Sequence, residues 1–175
     1  NSPEAVAAMQ DVKDLKWKYD VLTADPTSED WGTGFTQLGT GAAAMYIAAN
    51  DAVNMPTAQN GLAIDKLMMA GIPAGPAGAY SLAGGTPYMF AKSATADEIK
   101  AALTYLEVMG KAPVLTDFAK QGLVDDAKSK IENGVPVINE VSSWISPELN
   151  AEREAVIAQY SNVDARMFQP YFDAI

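Results

Sequence analysis

The sequence predicts an α/β fold. Several short apolar runs suited to strands lie among a larger number of segments with helical periodicity, and the two kinds interleave along the chain. Interleaving favours a largely parallel sheet, because parallel strands need a crossover and a helix is the usual one. Composition agrees: 175 residues, 49% hydrophobic and 19% charged, supply enough apolar material for a core.

Taken in order, residues 3–22 read as an amphipathic helix. Ser2 suits its N-cap, Pro3 its first turn and Glu4 its dipole. Val6, Met9, Val12, Leu15 and Tyr19 recur at three and four, with Trp17 off the stripe and read as structural. Thr23 to Thr27 is a loop. Asp30 to Leu38 reads as a short helix with Trp31, Phe35 and Leu38 on one face, weakened by Gly32 and Gly34. Ala42 to Ala49 (AAAMYIAA) fits a buried strand. Asn50 or Asp51 then offers an N-cap for a short helix towards Met55, and Asn60-Gly61 is a turn.

The run LMMAGI within Ile64 to Ile72 reads as a second strand leading into Gly71 to Lys92, where Gly and Pro are dense. Tyr88 to Ala91 is a third strand candidate. Ser93 to Met109 carries the clearest helical signal: Thr95 to Glu98 matches a capping box, Ile99, Ala102, Leu103, Leu106 and Met109 form a stripe, and Gly110 ends it. Asp117 to Glu132 reads as one helix or two broken near Gly122, stopping at Asn133-Gly134. Pro136 makes Val135 to Ile138 an edge or linker. Ser146-Pro147-Glu148 repeats the helix-start signal, for a helix turning Leu149, Val156, Ile157 and Tyr160 inwards. The aromatic tail from Asp164 to Ile175 is expected to form a short helix packed on the body.

The formal net charge is −10 and the chain has no basic run, which argues against a nucleic-acid partner. It contains neither Cys nor His, which removes thiol nucleophiles, Ser-His-Asp triads, imidazole or thiolate metal sites and disulfides. No calcium-loop pattern and no pair of acids placed across a cleft is recognisable, so no metal, cofactor or catalytic residue is nominated. No apolar run is long enough to span a membrane. Opening on a helix cap with no leader, the chain is read as a fragment.

Three places could hold a ligand. Asn50-Asp51 stands where a strand is expected to end and a helix to begin, the usual ligand position in open α/β sheets, and these side chains suit hydroxyl-rich ligands; a plain helix cap is the alternative. Gly84-Gly85-Thr86 can present backbone N–H groups and a hydroxyl, but lacks the spacing of a phosphate loop. Trp144, in the loop before a capped helix, is either a platform for a sugar face or a core residue. Trp31 and Tyr88 are weaker aromatic candidates.

Several stretches together resemble the extracellular solute-binding proteins of the family 1 type, the sugar-binding lipoprotein subunits of ABC importers, distantly like maltose-binding protein. The resemblance is carried by SPEAV at residues 2–6, FTQLGTGAAAM at 35–45 and IPAGPAG at 72–78. It continues with Gly84-Gly85 before an apolar run and Lys92, the capped helix from Asp97, and ENGVPVINEVSSW followed by SPELNAEREAVIAQYSNVD. Each motif is loose, and their order and spacing carry the likeness over most of the chain.

The resemblance implies a periplasmic-binding-protein-like type II fold, here incomplete: the C-terminal lobe plus part of the other. Residues 1–78 and 110–175 would belong mainly to the C-terminal lobe and 79–109 to a lobe-crossing segment. It implies a non-enzymatic function, capture of a mono- or oligosaccharide in an interlobe cleft and delivery to permease subunits. Asn50, Asp51, Gly84, Gly85, Thr86, Tyr88 and Trp144 would line the cleft. Many relatives carry Gly-x-Trp where this chain has Asn50-Asp51, which removes a stacking platform and admits a more polar or smaller ligand. The implied protein is an extracellular monomer, lipid-anchored or periplasmic, touching the membrane only through an anchor outside these residues. With most of the N-terminal lobe absent, weak or no binding by these residues alone is expected. A carbohydrate-active enzyme fragment and a ligand-free interaction domain are the alternatives.

Overall fold

The computed structural model describes residues 2–82, 84–85, 87–139 and 144–174. Among these, helices and connecting segments account for the architecture and no strand is formed. The six α-helices are α1 (Pro3–Trp17), α2 (Trp31–Thr40), α3 (Ala96–Val108), α4 (Asp117–Glu132), α5 (Pro147–Ala158) and α6 (Ala165–Phe172). Between α2 and α3 lie a 3₁₀ helix (Asn50–Asn54), a π-helical turn (Met55–Gln59) and a short 3₁₀ turn (Ile64–Lys66).

Local cap chemistry sets the helix starts. The Ala5 N–H donates to Ser2 Oγ, the Thr33 N–H to Asp30 Oδ1, the Ala119 N–H to Thr116 Oγ1 and the Leu149 N–H to Ser146 Oγ. At α3 the capping box is complete: the Glu98 N–H donates to Thr95 Oγ1, and the Thr95 N–H to Glu98 Oε2 at 2.7 Å. α1 is shorter than expected. Asp20 adopts positive φ (52°), and Lys16 Nζ donates to the Thr23 and Ala24 carbonyls, folding the chain back after Trp17. Its stripe differs too: no residue of α1 is buried, and Met9 is 67% exposed.

Among the described residues, two apolar clusters make up much of the core. In the first, Leu67, Ile138 and Phe168 are buried, with Leu38, Val53, Met69 and Phe172 packed against them. In the second, Ala127, Val137 and Ile157 join α4 to α5, with Tyr160 against them. Val137 and Ile138 are consecutive and enter different clusters, as the opposed side chains of an extended segment do. The segment expected as an edge or linker is a connection between α4 and α5 whose side chains enter the core. Asn162 takes the place of a strand neighbour: its Oδ1 accepts from the Val137 N–H at 2.7 Å and its Nδ2 donates to the Val135 carbonyl at 3.1 Å. Such pairing tolerates Pro136, whose missing N–H no ladder requires.

The strand expectations need correction. Ala42 to Ala49 forms no ladder, and Met45 and Ile47 are 88% and 80% exposed. Tyr46 and Ala43 are half-buried, the Tyr46 ring 4.9 Å from that of Phe35. Leu67 is buried and Met69 half-buried, while Met68 is exposed, so the alternation of a strand is present. One rung is made: the Met69 N–H donates to the Met167 carbonyl of α6 at 2.9 Å. Tyr88 to Ala91 is exposed and irregular. A strand needs a partner edge for its N–H and C=O groups, and the described residues supply none. The α/β class stays an expectation.

Gly122 does not break α4. A Cβ there would lie 2.1 Å from the Val108 carbonyl oxygen, so the residue marks the close crossing of α3 and α4. α3, assigned by resemblance to a lobe-crossing segment, packs on α4 in this way. No helix of the described residues is long and apolar enough to cross a membrane.

Candidate functional site

Asn50 and Asp51 open the 3₁₀ helix, but neither caps it. The N-cap position is Ala49, with no side-chain cap, and neither side chain makes a hydrogen bond or ion pair among the described residues. Asn50 is half-buried and Asp51 exposed. The next residues anchor the turn: Ala52 is buried, Val53 packs on the first cluster, and Thr57 Oγ1 donates to the Val53 carbonyl at 2.6 Å. An amide and a carboxylate thus stand on an anchored backbone with their hydrogen-bonding capacity unused.

Gly84, Gly85 and Tyr88 lie in an exposed irregular stretch. A Cβ at either glycine would meet nothing, and neither has positive φ, so neither close packing nor turn geometry requires glycine there. Thr86 lies outside the described residues. Upstream, the Gly75 and Gly78 backbones pair antiparallel around Pro76-Ala77 with Gly78 at φ 126°, a tight turn. Trp31 is 58% exposed and meets Phe35 edge-on at 4.8 Å, while the Tyr46 hydroxyl donates to its carbonyl.

Trp144 is half-buried, and its carbonyl accepts from Asn150 Nδ2 at 2.9 Å. Asn150 on α5 thereby ties Trp144 to the helix that Ser146 caps. The Asn150 Oδ1 is buried without a partner among the described residues, and so is the Asn139 Oδ1, next to the buried Ile138. Unpaired buried acceptors are uncommon, because leaving one without a donor costs about 1–3 kcal/mol. The two residues stand on either side of residues 140–143, and both oxygens would accept from a ligand hydroxyl. Glu148, in the first turn of α5, is held below the usual carboxylate range by its own backbone N–H and then by the Ser146 hydroxyl.

The candidate residues thus occupy three places: the turn after Ala49, the stretch around Gly84, and the loop ahead of α5. No hydrogen bond or ring contact joins them among the described residues. Sequence reasoning missed Asn139 and Asn150. Each is a lone polar residue outside any motif, and only burial reveals its unpaired oxygen. A cavity of about 290 Å³ lies elsewhere, lined by residues just after α3 and by α4 and α5. No family model matches this chain, and no curated protein or solved structure is significantly similar to it.

Proposed function

We propose that this chain is part of the substrate-binding component of an ABC importer: an extracellular protein, lipid-anchored or periplasmic, that captures a carbohydrate and passes it to membrane permease subunits without chemical change. The observation that carries the reading is Asn150, which holds the carbonyl of the half-buried Trp144 and whose Oδ1, like that of Asn139, is buried without a partner among the described residues. A sugar offers an apolar face for an indole and hydroxyl donors for amide oxygens, and saturating both is how a polar ligand offsets its desolvation. The uncapped Asn50 and Asp51 side chains add a second hydroxyl-binding set. The exposed apolar side chains at Tyr80, Leu82, Met89 and Phe90 agree with a surface meant to be covered by a second lobe.

A thermal-shift screen tests this, using the protein with whatever native sequence flanks these residues. A mono- or oligosaccharide is expected to raise the melting temperature, since a ligand that binds only the native state stabilises it. Asp51→Ala and Trp144→Ala are each expected to weaken affinity about tenfold, the worth of one charged hydrogen bond or one stacked ring. If no sugar raises the melting temperature, or both variants bind as the parent does, the reading fails.

A further inference from the structure

The apolar run from Ala42 to Ala49 takes no part in either core cluster. Tyr46 pins it to α2. Its ring meets Phe35 edge-on at 4.9 Å, its hydroxyl donates to the Trp31 carbonyl at 3.3 Å, and a Cβ at Gly34 would strike the ring. Met45 and Ile47, on either side of Tyr46, are exposed, as alternate residues of a half-buried strand are. No backbone N–H or C=O of residues 44–48 finds a hydrogen bond among the described residues. An unpaired apolar backbone on a fixed anchor is a template for strand pairing.

The run is also uncharged and self-complementary. From Trp31 to Asn50 there is no Asp, Glu, Lys or Arg, in a chain of net charge −10. Two copies of so acidic a chain repel one another least where neither carries charge. The sequence AAMYIAA at 43–49 reads alike in both directions about Tyr46: Met45 answers Ile47, and Ala44 answers Ala48. A two-fold interface requires such a match, because one surface must fit its own copy. There is area to cover. The chain exposes 12374 Å², against about 8,200 Å² for a self-contained monomer of 18.5 kDa, and the surplus exceeds the roughly 1,600 Å² of a standard interface.

We propose that residues 43–49 pair antiparallel with the same residues of a second copy of this chain, with the two-fold axis at Tyr46. Met45 then lies opposite the partner's Ile47, and Ala44 opposite the partner's Ala48. Ladder bonds take up the unpaired N–H and C=O groups, and two Met–Ile pairs shield each other. The pairing does not depend on what the chain binds.

Sedimentation equilibrium of the protein with its native flanking sequence tests the pairing. A reversible dimer is expected. Ile47→Lys is expected to raise its dissociation constant about tenfold, because both Met–Ile pairs are lost at once. Ile47 is exposed, so this variant should keep its far-ultraviolet circular dichroism. Register is read by crosslinking, since these residues include no Cys. The double variant Ala44→Cys, Ala48→Cys is expected to give a disulfide-linked dimer under mild oxidation. Ala44→Cys alone is not, because residue 44 then opposes residue 48 and not its own copy. The proposal is overturned by a monomer at every concentration up to the solubility limit, by a dimer that Ile47→Lys leaves unchanged, or by a double variant that crosslinks no better than the single one.

Discussion

At the scale of single residues, polar side chains that replace backbone partners decide the most. Asn162 serves both the Val137 N–H and the Val135 carbonyl beside the buried segment. Asn162→Ala leaves both unpaired, and a loss of about 2–4 kcal/mol in a urea titration is expected. Asp164 is a second case. The Arg166 side chain, and then its backbone N–H, lowers the Asp164 carboxyl from 3.8 to about 2. A depressed acid stabilises the folded state fully above its unfolded value, and that contribution fades as pH falls from about 4 towards 2. Asp164→Ala is therefore expected to lower the melting midpoint by about 2–4 °C at pH 7, with the gap to the parent closing below pH 4. A gap constant down to pH 2 would show that the charge is not what matters.

At the scale of elements, glycine position separates packing from openness. Gly122→Ala gains helix propensity but sets a Cβ against the Val108 carbonyl oxygen, so a net loss of about 1–3 kcal/mol is expected on urea unfolding. Gly84→Ala meets nothing and is expected to change stability by less than about 0.5 kcal/mol. Helix starts are legible in the sequence because caps are local: Ser2, Thr95 and Ser146 each find a partner within three residues. Strands are not, because an apolar run states burial and not its partner. Leu67 and Met69 turn inwards as strand residues do, yet Met69 bonds to α6 instead of a ladder. Gly122 misleads for a related reason, since its neighbour Val108 is distant in sequence. The Asn50-Asp51 cap fails because the first turn is 3₁₀ and starts from Ala49. Asn139 and Asn150 give no signal at all, since unpaired burial is a property of packing.

At the scale of the whole molecule, the core is off-centre in sequence. Residues from α2 to Met69 pack with Ile138 and α6, while α3, α4 and α5 form a second group, and Val137-Ile138 links the two. α1 contributes no buried residue. Met9→Ser is accordingly expected to shift stability by less than about 0.5 kcal/mol, and to reduce binding of a hydrophobic dye that lights up on apolar surface. A loss of several kcal/mol would mean that this face is packed in solution. The ligand-binding proposal meets its most direct test at Trp144. The chain has three Trp residues, and Trp17 and Trp31 are exposed, so replacing both with Phe leaves Trp144 as sole reporter. Fluorescence of that variant, with its native flanking sequence, is then titrated with a panel of mono- and oligosaccharides. A saturable change with at least one sugar, abolished in Asn150→Ala, is expected. A flat response to every sugar, with the fold intact, would contradict carbohydrate capture at this loop.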